Sequence, residues 1–177
     1  MIYIFNHGDS EAIMTMSLSS NTRAPIQSFP KKNVKKKKNR KSTNIQVNSL
    51  KIHLKKMTKR NEILDGDFIV AIMDLDDCDK QTIGEYKNGS RKIFGPVKKE
   101  GIEILPIYNE PNLDFVLRNL GYDVPVKLKS KNPFYKEFFE NWDLEKFKGL
   151  RDKCKNSEFT NMDKLIDLLI AQSTPRI

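Results

Sequence analysis

The chain has 177 residues, 38% hydrophobic and 31% charged, enough for one domain with an adequate core or one domain with a small appendage. Its two cysteines, Cys78 and Cys154, are too few and too isolated for a zinc site or a disulfide framework, so a reducing cytoplasmic compartment is expected. No apolar run approaches membrane-spanning length, and only a few apolar residues, with no leading positive charge, precede Asn6-His7-Gly8-Asp9; these features speak against a membrane partner and against a secretory signal.

The formal charge of +9 is unevenly distributed. Between Glu11 and Glu62 there is no acidic residue, while fourteen of the 32 basic side chains fall there, among them Lys35, Lys36, Lys37, Lys38, Arg40, Lys41, Lys51, Lys55 and Lys59. The rest of the chain, with 18 basic and 23 acidic side chains, is net negative. A basic block this dense favours a polyanion, because neutralised phosphates release counterions, and nucleic acid, DNA or RNA, is the expected partner. A solvated loop or a membrane-surface patch would give the same composition.

In chain order, residues 2–5 (Ile-Tyr-Ile-Phe) form a first strand, followed at Gly8 by a turn suited to bringing backbone N–H groups towards an anion. A helix is expected from Asp9 or Ser10, with Ser10 as its N-cap and Ala12, Ile13, Met14, Met16 and Leu18 as its apolar positions. Glu11 then lies in the first turn beside the strand end, where an acid commonly does no more than complement the helix dipole. Residues 24–29 make a short edge strand, since Pro25 would not suit a central one. Residues 30–43 carry the lysine run without a hydrophobic pattern and are expected to be a mobile loop. A second helix begins near Asn44, with Val47, Leu50, Leu54 and Met57 on one stripe and the lysines largely on another.

Asp65-Gly66 marks the turn into Phe68-Ile-Val-Ala-Ile-Met73, an uninterrupted apolar run of the kind buried on both faces of a sheet. It ends abruptly in Asp74, Asp76, Asp77 and Asp79. A short helix and a turn at Gly89 are expected within residues 80–92, then a strand at 102–108. Asn109-Glu-Pro-Asn-Leu-Asp114 opens another helix, with Pro111 in the first helical position and Leu113, Val116, Leu117 and Leu120 inward. The aromatics of 131–147 are expected to cover the sheet, and Thr160 with Asp163 makes a capping-box pattern for a last helix. The fold class is therefore α/β, a mostly parallel, Rossmann-like sheet of about four strands flanked by helices. Residues 1–125 form the α/β domain and 126–177 a helical C-terminal extension packed on it.

Glu11, the Asp74/Asp76 pair and Asp114 share one placement, at a strand's end or in the first turn of the helix after it. In open parallel sheets ligands bind at the strands' carboxyl ends, and hard cations such as Mg²⁺ often need only one or two protein carboxylates. A solvated turn would account for the aspartates equally well.

This pattern resembles the Toprim fold of topoisomerases, primases and OLD-type nucleases. Phe5-Asn-His7-Gly8-Asp-Ser10-Glu11 is similar to the family's Glu-Gly turn after strand one, and Ile72-Met-Asp74-Leu-Asp76 to its Asp-x-Asp. Asn109-Glu-Pro111-Asn-Leu-Asp114 resembles the Asn-Pro-x-x-Glu-like segment of the RloB-like, abortive-infection branch. The chain departs from the pattern at His7, which stands where the family has its glutamate. The resemblance implies a metal-dependent nuclease of phage defence, a phage or a mobile element. In it Glu11, Asp74 and Asp76, with Asp114, hold Mg²⁺ or Mn²⁺, and Glu11, Asp74, Asp76 and His7 do the chemistry. The alternative is a non-catalytic Toprim-like protein that binds nucleic acid or a protein partner, with a homo-oligomer also open. Phosphoryl transfer at an HAD- or receiver-like acidic site ranks lower, because Lys127 and Lys129 are weak candidates for the lysine such a site needs.

Overall fold

The computed structural model describes residues 1–29, 45–59, 63–97, 101–127 and 130–173; the lysine run expected to be a mobile loop lies outside them. The elements are β1 (Ile2–Asn6), α1 (Asp9–Thr22), β2 (Ile26–Phe29), α2 (Val47–Lys59), β3 (Phe68–Asp74) and α3 (Lys80–Lys87), then α4 (Arg91–Phe94), β4 (Glu103–Asn109), α5 (Leu113–Asn119), α6 (Lys131–Glu140), α7 (Leu144–Cys154) and α8 (Met162–Ala171). The strands form a single parallel sheet in the order β2-β1-β3-β4. As expected, the short strand after Pro25 lies at an edge and the apolar run 68–73 lies inside.

Period-two alternation divides the two inner strands between two cores. Ile2, Ile4, Val70 and Ile72 point to one face, where they pack with α1, α5, α6, α7 and α8. Tyr3, Phe5, Ile69, Ala71 and Met73 point to the other, against Val47, Leu50, Leu54 and Met57 of α2 and Tyr86, Ile93 and Phe94 of α3 and α4. The buried Tyr86 hydroxyl donates to the carbonyls of Ala71 (2.6 Å) and Ile107 (2.9 Å), fixing α3 across β3 and β4. The aromatics Tyr135, Phe139, Trp142 and Phe147 belong to the same core as the sheet, so α6 to α8 are packed on the α/β layer.

The chain steps from β1 outward to β2, then back across β1 to β3 and on to β4. Right-handed crossovers put the helices of opposite steps on opposite faces, which is the division the two cores show. The direction of winding therefore reverses between β1 and β3, and the loops leaving their carboxyl ends diverge to leave a crevice there.

Several helix starts differ from expectation. Gly8, not Ser10, is the N-cap of α1: its backbone is extended and its N–H donates to Glu11 Oε2 at 3.0 Å, so that N–H is used within the turn and not on an external anion. Met16, one of the apolar positions expected of α1, is 53% exposed. Pro111 precedes α5, which starts at Leu113 under an Asn112 cap whose Oδ1 accepts from Phe115 N–H at 3.0 Å. Thr160, the residue expected to cap α8, accepts from Met162 N–H through Oγ1 at 3.2 Å, while Asn161 holds the N-cap position of that helix with its side chain committed elsewhere. Its Oδ1 accepts from Tyr108 N–H and its Nδ2 donates to the Pro106 carbonyl, both at 2.9 Å, which covers the outer edge of β4. Among the described residues no helix is long and apolar enough to cross a membrane.

Candidate functional site

A cavity of about 350 Å³ lies at the reversal point. The β1–α1 turn brings His7, Asp9 and Glu11 to it, the end of β3 brings Asp74, Asp76 and Asp77, the start of α5 brings Asn112 and Asp114, and the start of α6 brings Lys131 and Asn132. Glu11, Asp74, Asp76, Asp114 and His7, singled out in the sequence, thus meet on one surface. Lys51, Lys55 and Lys59 are exposed on α2 and do not line it; Lys35, Lys36, Lys37, Lys38, Arg40 and Lys41 lie outside the described residues.

The acids are graded by depth. Glu11 is buried, Asp74 and Asp114 are partly buried, and Asp76 and Asp77 are exposed at the mouth. Parallel register sets Asp74 opposite Asn109. Asp74 Oδ1 accepts from Asn109 Nδ2 (3.2 Å) and Leu113 N–H (3.1 Å), while Asn109 Oδ1 accepts from Thr160 Oγ1 (3.2 Å). Asp76 Oδ2 accepts from Asn112 Nδ2 at 3.4 Å, and Asp9 Oδ2 from Asn132 Nδ2 at 2.6 Å. Asp114 is held by Tyr135, whose hydroxyl donates at 2.6 Å, and by Lys131 Nζ at 2.8 Å.

Burial, followed by the charge of Glu11, pushes the Asp74 carboxyl up to about 9, although the Asn109 and Leu113 donors pull it down. Glu11 is raised as well, by burial, against the pull of its own and the Gly8 N–H groups and of Lys131. Burial works against the Lys131 ammonium, but Asp114, Asp74 and Glu11 outweigh it and hold its pKa above the ordinary value. Burial lowers His7, with Asp76 and Asp77 opposing, and its Nδ1 is buried without a hydrogen-bond partner among the described residues.

No family model, curated protein or solved structure matches the chain.

The fit of a divalent cation rests on the donor chemistry. Two acids at the floor of the cavity are pushed towards neutrality by burial, Asp74 also by the charge of Glu11 and Glu11 by that of Asp114, the condition a bound cation relieves. The donors are hard oxygens suited to Mg²⁺ or Mn²⁺, with the unpartnered His7 imidazole as a softer addition. Among the described residues no three acidic, histidine or cysteine side chains close around one point, so the protein would supply one or two carboxylates and leave the other positions to water and substrate.

Tyr135, Lys131 and Asn132 were not singled out in the sequence, and Asn109 and Asn112 entered only within the 109–114 motif, with no role at the site. Asn109 was available in principle, since aligning the ends of two adjacent parallel strands sets it opposite Asp74. Lys131 carried no signal: it opens an aromatic helix whose pattern reports only core packing, and its place beside Asp114 comes from how α6 docks on α1 and α5.

Proposed function

We propose that the protein is a divalent-cation-dependent, Toprim-like hydrolase of nucleic-acid phosphodiesters, with the cavity between β1 and β3 as its active centre. One observation carries this reading: Glu11, Asp74, Asp76 and Asp114, far apart in sequence, line one cavity at the carboxyl ends of the strands, where the winding reverses. One or two of the carboxylates Glu11, Asp74, Asp76 and Asp114 would hold Mg²⁺ or Mn²⁺, with Asp114 already engaged by Lys131 and Tyr135; the cation when bound would polarise the phosphodiester and activate water. Asn109 and the Leu113 N–H orient Asp74, and the Gly8 N–H orients Glu11, so both deep carboxylates are held in place before any ligand arrives. His7, kept neutral by burial, can accept a proton near the mouth. The test is incubation of labelled single-stranded DNA, duplex DNA and RNA with the protein and Mg²⁺ or Mn²⁺. Cleavage that a chelator stops is expected; intact strands under every condition would reject the assignment.

The place of Lys131 favours a second reading. Its ammonium already stands in the cavity on Asp114 and is drawn by Asp74 and Glu11, as a resident cation would be. On this reading the protein binds nucleic acid or a protein partner without cutting. Binding would then persist in chelator and no cation would induce cleavage.

A further inference from the structure

The acidic cavity creates a problem for a polyanionic substrate, because Asp76 and Asp77 at its mouth repel phosphates and the affinity must come from another surface. A second groove, of about 500 Å³, lies between α2 and α4, lined by Lys51, Lys55, Thr58, Lys59 and Arg91 and, among the described residues, by no carboxylate. All four cations are exposed, and among the described residues none of them has an ion-pair partner, whereas Lys87 is paired with Glu110, Lys92 with Glu85 and Lys131 with Asp114. Helix electrostatics explain Lys59, in the last turn of α2, but not Lys51 and Lys55 further up.

Lys51, Lys55 and Lys59 recur every four residues, so their stripe runs roughly 12 Å along the helix, the axial length of about three base-pair rises of a duplex. We infer that this groove is a nucleic-acid backbone site, an exosite on the α2–α4 side of the sheet that holds the strand whose phosphodiesters the acidic cavity cuts. It rests on the proposed function only for the fate of the bound strand. The cations grip phosphates and read no bases, so the site takes single strands or duplex without sequence choice. A membrane surface fits less well, since Ile52 is the exposed large apolar residue on α2 and an interfacial helix needs an apolar face.

Binding is measured by fluorescence anisotropy with a labelled oligonucleotide about 20 nucleotides long, single-stranded or duplex, in chelator and on an Asp74→Asn background, so that loss of cleavage cannot affect the result. Changing Lys51, Lys55 and Lys59 and Arg91 together to Gln should lower affinity at least tenfold. It should also flatten the dependence of log affinity on log salt by about 3, at roughly 0.7 to 0.9 per lost phosphate contact. A control changing the exposed Lys136, Lys146, Lys155 and Lys164, on α6, α7 and α8 or just after α7, to Gln should have a much smaller effect on both. Equal losses in the two variants would overturn the site in favour of net charge. Unchanged binding in the groove variant would overturn it outright, as would groove-dependent binding to phosphatidylserine vesicles without oligonucleotide binding. Far-ultraviolet circular dichroism confirms that both variants are folded.

Discussion

Replacing Asp74 by asparagine should make the protein less sensitive to alkaline pH. In the folded chain the Asp74 carboxyl is pushed up to about 9 by burial and by Glu11, whereas an unfolded aspartate titrates near its ordinary value. Between those values the native state holds a proton that the unfolded state has released, so stability is lost as pH rises towards the folded pKa. One such proton is worth up to about 1.4 kcal/mol per pH unit. The informative window runs from about pH 7 to about pH 8, above the unfolded histidine pKa of roughly 6.5. There His7 and His53, both lowered by burial, are largely neutral in both states and add little slope of the opposite sign. Asparagine keeps the Oδ1 acceptor for Asn109 and Leu113 while removing the titrating group; Glu11, raised first of all by its own burial, keeps its own slope in both proteins. Urea unfolding followed by circular dichroism in chelator should therefore show wild-type stability falling by at least about 1 kcal/mol across the window, with the Asp74→Asn line shallower by about that amount, because only the Glu11 contribution remains. Mn²⁺ should flatten the wild-type line by favouring the ionised carboxylates and leave the variant's slope unchanged. A wild-type line that is flat or rising in chelator, or a variant line parallel to it, would refute the reasoning.

Asn109→Ala removes a fully buried side chain that joins Asp74 to Thr160; a loss of about 1–3 kcal/mol is expected in the same urea assay, with Mn²⁺ binding weakened although Asn109 is not itself a proposed ligand. Tyr135→Phe deletes the donor to Asp114 Oδ1 and should cost about 1 kcal/mol. Phe139→Ala empties a site in the core that α6 shares with the sheet, and about 3–5 kcal/mol should be lost in a single unfolding transition; two separated transitions would show that the C-terminal helices are not part of that core. His7→Glu adds a hard oxygen donor on the cavity, so the rise in melting temperature caused by Mg²⁺ should exceed that of the wild type.

The fold was legible where burial alone decides it. The run 68–73 is apolar at every position because both faces of β3 are covered, and Pro25 marks the edge strand β2 because it has no N–H to give a neighbour. Helix starts were less legible, because a cap depends on what else competes for the capping side chain: Asn161 is spent on β4, and the Gly8 N–H is claimed by Glu11. The acids of the cavity could be read from the sequence because each follows a strand, and parallel strands bring such positions to one edge. Lys131 could not, since its contact with Asp114 is a product of tertiary packing. The unpaired groove is an intermediate case: the Lys51, Lys55 and Lys59 spacing is visible in the sequence, but Arg91 joins it only through the packing of α4 beside α2.

The claim that the cavity between β1 and β3 cuts phosphodiesters is tested most directly by comparing wild type, Asp74→Asn and Asp76→Asn in one Mn²⁺-dependent cleavage assay at matched oligonucleotide occupancy. The account predicts cleavage by wild type and its loss in both variants while binding is retained. Cleavage at wild-type rate by both variants would contradict it.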